Sequence, residues 1–249
     1  MTENMKSKKT LPQTVKRTAA VIAAAVLMMM LLTGCDQATD NSKKAIEAGD
    51  TVTFGAYEQD GDAGNGKEAI QWTVLEVNGD EALLLSRNVL SAGPYHTKYT
   101  EVTWENSSIR AMLNGSFMEN AFSEDEQKMI LLTDVDNSRA QSLQGDAFGG
   151  ADTQDRVFLL SAAETEKWLP ETARRLCAAT AFAKAEGVYT SKKTPVDGQP
   201  AAWWWLRSPG GFMETARCAD TNGEMIYSDV NDATGGIRPA IRVKTEALK

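Results

Sequence analysis

The chain has 249 residues, of which 26 are basic and 34 acidic, so its net charge is −8. This length favours one domain, or two at most. The hydrophobic and charged fractions, 42% and 24%, exclude a collagen-like, coiled-coil or wholly disordered chain. The acidic balance argues against a nucleic-acid partner. One histidine and three cysteines are too few for a typical zinc site, and we predict neither a bound metal nor a cofactor.

The N-terminus has the pattern of an export signal. Five basic residues lie between Lys6 and Arg17, and fourteen consecutive apolar residues, Ala19–Leu32, follow. A transmembrane helix needs about 20 residues, so this run fits the hydrophobic part of a signal peptide. The tetrapeptide LTGC, which ends at Cys35, resembles the lipobox of bacterial lipoproteins. The resemblance implies removal of residues 1–34 and lipidation of Cys35, with a plain secretory signal or an uncleaved anchor as the alternatives.

Removal of residues 1–34 would leave a chain with a net charge of −12, because that segment holds five basic residues and one acid. Acyl chains such as palmitate on Cys35 would bind the membrane, while the acidic body would be repelled by anionic lipid. We therefore predict a lipid-anchored protein on the extracytoplasmic face of the cell membrane. Residues 35–48 are expected to be a polar tether and residues 49–245 a single domain.

The first part of that domain has β-strand patterns over Thr51–Phe54, Ile70–Val77 and Glu81–Ser86. The last two runs flank Asn78-Gly79. Asn-Gly between such runs predicts a hairpin, because both residues tolerate a positive φ.

Helical signals follow in the middle of the chain. A short helix is expected over Ser108–Leu113, ending at Asn114-Gly115. The spacing Ser-x-x-Glu begins at Ser123 and again at Ser161, and it predicts two helices that start with capping boxes. The residue propensities predict a longer helix over Glu171–Glu186.

The last third of the chain returns to strand patterns, over Ala202–Arg207, Ala216–Ala219, Glu224–Tyr227 and Gly236–Val243. Pro239 has no N–H, which predicts an edge position or a bulge in the last strand. Strands, then helices, then strands again indicate an α+β fold of antiparallel sheets with two or more flanking helices.

Five stretches of the chain together resemble a family of bacterial exported proteins with the domain of unknown function 6273. They are Gly49–Leu90, Thr103–Glu126, Asp155–Glu164, Trp204–Gly210 and Gly236–Val243. The most specific elements are WWLRSPG and GIRPA in the last two stretches. The resemblance implies a C-type-lectin-like mixed fold, in which the N- and C-terminal strands pair and two helices flank the core. It brings no established reaction or ligand.

A tryptophan-rich strand near the C-terminus is the first candidate binding face. Alternation along a strand puts Trp203, Trp205 and Arg207 on one side, and indoles beside a planar cation suit stacking on sugars or aromatic ligands. The alternative is that all three are core residues and that Arg207 pairs with an acid. Even then, we expect at least one of the three to line a pocket.

Polar side chains close to the C-terminus form a second candidate group. They are Asp229, Asn231 and Asp232, near Asp220 and Asn222, and they lie where the lectin-like resemblance implies binding loops. Arg238 and Arg242 are expected on one face of the last strand. They are interpreted either as partners in structural salt bridges, which we favour, or as a strip that binds carboxylates.

The chain contains no catalytic motif that names a nucleophile, a phosphate loop or a metalloprotease helix. His96 is expected to be exposed or locally hydrogen-bonded. The acidic loops at Asp60–Asn65 and Asp134–Asn137 are interpreted as solvated turns rather than calcium sites. In an exported protein, Cys177 and Cys218 can form a disulfide, and two buried free thiols are the equal alternative.

These observations favour a non-catalytic module that binds an extracellular glycan, peptide or small ligand. An enzyme that acts on cell-wall or other carbohydrate through two carboxyl groups is one alternative. A structural or adhesive partner in a surface assembly is the other.

Overall fold

The computed structural model describes residues 45–143 and 148–248, which belong to one compact unit, Ala45–Lys249. The predicted signal peptide, the lipidation site Cys35 and most of the tether lie outside the described residues. Within the described part of the chain, no helix is long and apolar enough to cross a membrane.

The described strands are, in chain order, β1 (Thr51–Tyr57), β2 (Glu68–Asn78), β3 (Glu81–Ser86), β4 (Ser91–Ala92), β5 (Thr133–Val135), β6 (Thr153–Asp155), β7 (Val157–Phe158), β8 (Cys177–Ala178), β9 (Thr190–Val196), β10 (Gln199–Ala202), β11 (Trp204–Pro209), β12 (Thr215–Ala219), β13 (Met225–Asp229), β14 (Gly236–Ile237) and β15 (Ala240–Lys244). The described α-helices are α1 (Ser108–Met112), α2 (Met118–Ala121), α3 (Glu124–Met129), α4 (Ala162–Trp168), α5 (Thr172–Arg175) and α6 (Ala181–Ala185). The mixed architecture of antiparallel sheets and short helices confirms the α+β prediction.

Two five-stranded sheets form the frame. The first has the order β1-β2-β3-β15-β7 and is antiparallel throughout. The second has the order β13-β12-β11-β14-β4, and only its β11–β14 pair is parallel. The first and last strands lie in the same sheet, but β15 pairs with β3 and β7 and not with β1, so the expected pairing of the N- and C-terminal strands is wrong. A three-stranded sheet, β8-β10-β9, and the pair β5–β6 complete the sheets.

The two predicted capping boxes are confirmed, because residues close in sequence determine where these helices begin. Ser123 and Ser161 both cap their helices in complete capping boxes, with Glu126 and Glu164 as the reciprocal partners. The helix that begins at Ser108 does not stop at Asn114-Gly115 as predicted. A π-helical turn carries it on to α2, with Gly115 outside helical φ and ψ.

The predicted helix over Glu171–Glu186 is wrong. Only α5 and α6 are helical, and between them β8 pairs with β10. Thr180 begins α6, because its side chain accepts a hydrogen bond from the N–H of Ala183. Cys177 is therefore a strand residue, since pairing with a distant strand overrides the helix propensity of its neighbours.

Two turns also differ in detail from their predictions. In the first hairpin Asn78 pairs with Glu81, so the turn residues are Gly79 and Asp80, and Gly79 has a φ of +62°. At the other end of the chain, Pro239 interrupts the predicted long strand and separates β14 from β15. The break leaves β15 free to lie inside the first sheet, so Pro239 does not mark an edge.

One hydrophobic cluster runs through the described unit and joins both large sheets. Its largest fully buried side chains include four of the six tryptophans, which are Trp72, Trp104, Trp204 and Trp205. Each of these four donates its indole N–H to an oxygen of the protein. A buried indole needs such a partner, so these residues fix how the sheets and loops pack together.

Candidate ligand-binding site

A cavity of about 250 Å³ opens beside the hairpin of β12 and β13. We call it the Trp203 cavity, and its lining residues include Tyr189, Trp203, Cys218, Asp220, Ile226 and Asp232. They come from three separate segments of the chain, which only the folded structure brings together.

The hairpin determines which side chains face the cavity. Cys218 pairs with Ile226, and Arg217 pairs with Tyr227. Because side chains alternate along a strand, the first pair lies on the cavity side and the second on the opposite face. Tyr227 also contributes to the lining, but its ring packs beside Phe212 and Gly211. The centroids of the Tyr227 and Phe212 rings are 6.2 Å apart.

Trp203 forms the aromatic wall of the cavity. It connects β10 to β11, and its ring packs edge-on against Trp205 with the centroids 4.7 Å apart. Its indole N–H makes no hydrogen bond to a described residue. Arg217 Nε is the one fully buried side-chain nitrogen or oxygen without a partner in residues 45–143 and 148–248. The unpaired indole nitrogen of Trp203 is therefore not fully buried and is in contact with solvent. Trp203 therefore offers a ring edge and a free donor.

Tyr189 stands at the mouth of the cavity and is 59% exposed. Its backbone N–H donates to the carbonyl of Thr234, which holds this segment beside the loop that carries Asp232. An exposed aromatic ring at a cavity mouth is available to stack on a ligand.

Two carboxylates, Asp220 and Asp232, complete the lining, and local donors hold both in place. Asp220 Oδ1 accepts from the N–H groups of Asn222 and Glu224, at 2.8 and 2.9 Å. Asp232 Oδ1 accepts from the N–H and the hydroxyl of Thr234, at 2.9 and 2.7 Å. These turn contacts orient the carboxylates and leave each without a cationic partner among the described residues.

Cys218 is a buried free thiol in the lining of this cavity. Burial raises its pKa to about 12, and the nearby charges of Asp220 and Asp232 act in the same direction. The thiolate is the nucleophilic form of cysteine, so this thiol is unreactive at neutral pH. Cys177 is also free and buried, so the structure shows two thiols and no disulfide between them.

The other members of the predicted tryptophan face are core residues. Trp205 is fully buried and donates its indole N–H to Gly93 O at 2.9 Å. Arg207 is 1% exposed and forms a two-armed ion pair with Glu164, with further bonds to Asn137 and to backbone carbonyls. Of the three residues, only Trp203 lines the cavity.

The predicted basic row is structural as well. Arg238 is buried, donates to Ser86 O at 2.9 Å and lies over the ring of Trp204 at 4.8 Å. Burial lowers the pKa of its guanidinium. Arg242 pairs with Glu76 at 3.2 Å. Because the strand breaks between Arg238 and Ala240, the two arginines do not share the continuous face that we expected.

The remaining polar candidates lie outside the cavity. Asn222 and Asp229 are both exposed, Asn222 in the hairpin turn and Asp229 at the end of β13. His96 is locally bonded, since its Nδ1 accepts from the backbone N–H of Ser108 at 3.2 Å. Ser108 Oγ lies 3.1 Å from the same nitrogen, whose single lone pair already accepts from the backbone N–H of Ser108.

The first acidic loop brings together three carboxylates, Glu58, Asp60 and Glu68, each with an oxygen within 4.8 Å of the others. Hydrogen bonds of the loop explain this cluster. Backbone N–H groups within the loop donate to each carboxylate, and the pKa of Asp60 is lowered chiefly by its hydrogen bonds to Asn65 and Asp62.

A second cavity, of about 320 Å³, lies between Tyr57, Met112 and Glu186. Its carboxylate, Glu186, is occupied by the hydroxyl of Ser91 at 2.7 Å and the N–H of Ala92 at 2.9 Å. The Trp203 cavity is the stronger candidate because its lining combines two carboxylates with an indole whose N–H is unpaired, whereas the second cavity has a single carboxylate.

Residues 79–245 match the sequence profile described as "Domain of unknown function (DUF6273)". The chain belongs to the DUF6273 family. The resemblance seen in the sequence is thereby confirmed, and the matched region spans β3 to β15 with the whole Trp203 cavity. A search of curated proteins and a search of solved structures each found no match to this chain.

The most specific sequence elements of this DUF6273 chain serve its packing. WWLRSPG supplies Arg207, which binds Glu164 at the start of α4, and GIRPA supplies Arg238, which stacks on Trp204. Sequence reasoning missed Tyr189, because the wrong helix prediction ended just before it. Tyr189 follows Gly187-Val188 and directly precedes β9, and nothing in this local sequence indicates that it lines a cavity with Trp203.

Proposed function

We propose that this chain is a lipoprotein of the bacterial cell surface whose Trp203 cavity binds a glycan, a peptide or a small ligand without transforming it. The LTGC tetrapeptide after an apolar run supports an acyl anchor on Cys35 and an extracytoplasmic location. A C-type-lectin-like fold stays part of this proposal on the resemblance of the sequence alone, because β15 pairs with β3 and not with β1.

The observation that carries the binding function is the unused indole N–H of Trp203 in an aromatic cavity. Four other indoles of the chain are satisfied inside the protein, which is the usual state of a buried tryptophan. Trp203 instead leaves its donor unpaired, in a cavity whose lining also includes Asp220, Asp232 and the exposed ring of Tyr189. Stacking surfaces with a few fixed polar groups are the usual composition of a small-ligand site.

The decisive variant is Tyr189→Ala, because this exposed side chain can be removed without opening the core. The matched control is Tyr99→Ala, since Tyr99 is 61% exposed, as Tyr189 is at 59%, and is not part of the cavity lining. Calorimetric titration with glycan and cell-wall peptide fragments is expected to show about tenfold weaker binding for Tyr189→Ala alone. Equal affinities for wild type and both variants would refute the proposed site.

The pair Asp220 and Asp232 supports a second candidate, a carbohydrate-active enzyme, because glycosidases act through two carboxyl groups. This candidate predicts release of reducing ends from a bound glycan and loss of that release in Asp220→Asn. Binding without release of reducing ends supports the non-catalytic module.

A further inference from the structure

We infer that the Trp203 cavity binds a cationic group, an ammonium or a guanidinium, between its aromatic wall and its two carboxylates. This inference rests on the proposed function, because it names the chemistry of the ligand at the same site. Four features of the cavity lead to it.

The first feature is the lack of a counter-charge. Three partly or fully buried carboxylates are neutralised by basic side chains, Asp155 by Arg110, Glu164 by Arg207, and Glu76 by both Lys167 and Arg242. Asp220 and Asp232 are half-buried, and like Glu126 and Glu214 they form no salt bridge with a lysine or arginine in the described ranges, but these two line one cavity together. A pair of half-buried, unneutralised carboxylates favours a cation that comes from outside.

The second feature is the convergence of the two charges. Their donors are uncharged N–H and O–H groups, which fix the carboxylates but do not neutralise them. The charge of Arg217 lowers the pKa of the Cys218 thiol, whereas Asp220 and Asp232 both raise it and line the same cavity. A single cation there would be attracted by both.

The third feature is the aromatic wall. Trp203 and Tyr189 line the cavity with an indole and a phenol, which are ring types that attract cations, tryptophan the more strongly. The nearest candidate from the chain itself is Arg217. It lies on the opposite face of the hairpin with Tyr227, where its Nη1 donates to Met225 O at 3.4 Å.

The fourth feature is size. At about 250 Å³, the cavity lies just below the usual range for small-molecule sites of about 300–1,000 Å³. It matches one head group, such as a quaternary ammonium or the end of a lysine or arginine side chain, rather than an extended oligosaccharide.

The test uses two probes of the same shape, choline and its uncharged analogue 3,3-dimethylbutan-1-ol. Titrations of the purified chain, followed by NMR, are expected to show at least about tenfold tighter binding of choline. Binding of choline should weaken as salt concentration rises, because charge attraction is screened. Equal affinity for the two probes, or no binding of choline, would overturn the inference.

The variants Asp220→Asn and Asp232→Asn keep the Oδ1 that accepts the backbone hydrogen bonds of the turns and remove the charge, and each loses one side-chain contact of Oδ2, with Asn222 Nδ2 or Ser228 Oγ. Each is expected to weaken choline binding by about five- to tenfold. The control is Asp229→Asn, an exposed residue of the same hairpin that does not line the cavity. The same loss in all three variants would show a general charge effect and contradict the proposed contact.

Two further probes distinguish the sources of the cation. Butylamine represents a free amine, and Nα-acetyl-lysine methylamide represents a lysine side chain in a peptide; tighter binding of one identifies that source. Failure of this inference is separable from failure of the proposed function. An uncharged glycan could bind to wild type, fail to bind to Tyr189→Ala and bind equally well to the two aspartate variants. That result would support the binding site and refute its preference for a cationic ligand.

Discussion

The ion pair between Arg207 and Glu164 offers a sharp test of how this domain is held together. Glu164 belongs to the capping box of α4, and its carboxylate binds the buried guanidinium with both oxygens. The substitution Glu164→Gln keeps the shape and one acceptor oxygen but leaves the charge of Arg207 without its counter-ion. We therefore expect the variant to be clearly less stable than wild type.

The size of the loss follows from the burial of the pair. Removal of one partner of a buried ion pair costs about 3–5 kcal/mol. The loss should be smaller here, about 2–3 kcal/mol, because the carboxylate is 24% exposed and glutamine retains one contact with the guanidinium. Urea denaturation followed by tryptophan fluorescence measures this difference as a lower midpoint at unchanged slope.

The chain contains a matched control in its other capping box. Glu126 occupies the same position in α3, but it pairs with no basic side chain in the described part of the chain and accepts from Gly55 N–H instead. Glu126→Gln should therefore cost less than about 1 kcal/mol. Equal losses in the two variants would show that the capping box, and not the buried charge pair, is what glutamine disturbs.

Three further outcomes are expected. Because burial raises the pKa of Cys218 from about 9 to about 12, its thiol stabilises the fold fully below pH 9 and progressively less above it. Wild type should therefore lose about 1 kcal/mol more than Cys218→Ala between pH 9 and 10 in urea titrations, and parallel losses would contradict the shift. Gly223 and Gly198 both have positive φ, but only at Gly223 would a Cβ meet the backbone of Thr172. Gly223→Ala should thus destabilise by more than the roughly 1 kcal/mol expected for Gly198→Ala, and calorimetric melting that ranks them in reverse would refute this. Finally, Cys35→Ser should abolish incorporation of radiolabelled palmitate, and continued labelling would disprove the predicted anchor.

The parts of the fold that the sequence predicts are those encoded by near neighbours. Both capping boxes involve residues three apart, so Ser123 and Ser161 could be identified without knowledge of the rest of the chain. The interior of the predicted helix over Glu171–Glu186 could not, because β8 forms only by pairing with β10, more than twenty residues away. Local propensity is weak compared with such tertiary pairing.

The candidate site is likewise predictable from the sequence only in part. Strand alternation correctly groups Trp203 with Trp205, and their rings are in contact. Alternation does not predict which of the two indole N–H groups is exposed to solvent. That depends on a distant residue, because the N–H of Trp205 donates a hydrogen bond to Gly93 O. The role of Arg207 depends on Glu164, 43 positions away, and no spacing in the sequence reveals that pairing.

The most direct measurement of ligand binding at Trp203 is an NMR titration that follows the indole N–H signals of the chain. Trp203 has an open N–H, whereas those of Trp72, Trp104, Trp204 and Trp205 are bonded within the protein. A glycan, peptide or choline probe that occupies the cavity should shift the signal missing from the spectrum of Trp203→Phe and leave those of Trp72 and Trp104 in place. A probe that binds without shifting that signal would contradict the assignment of the cavity as the binding site.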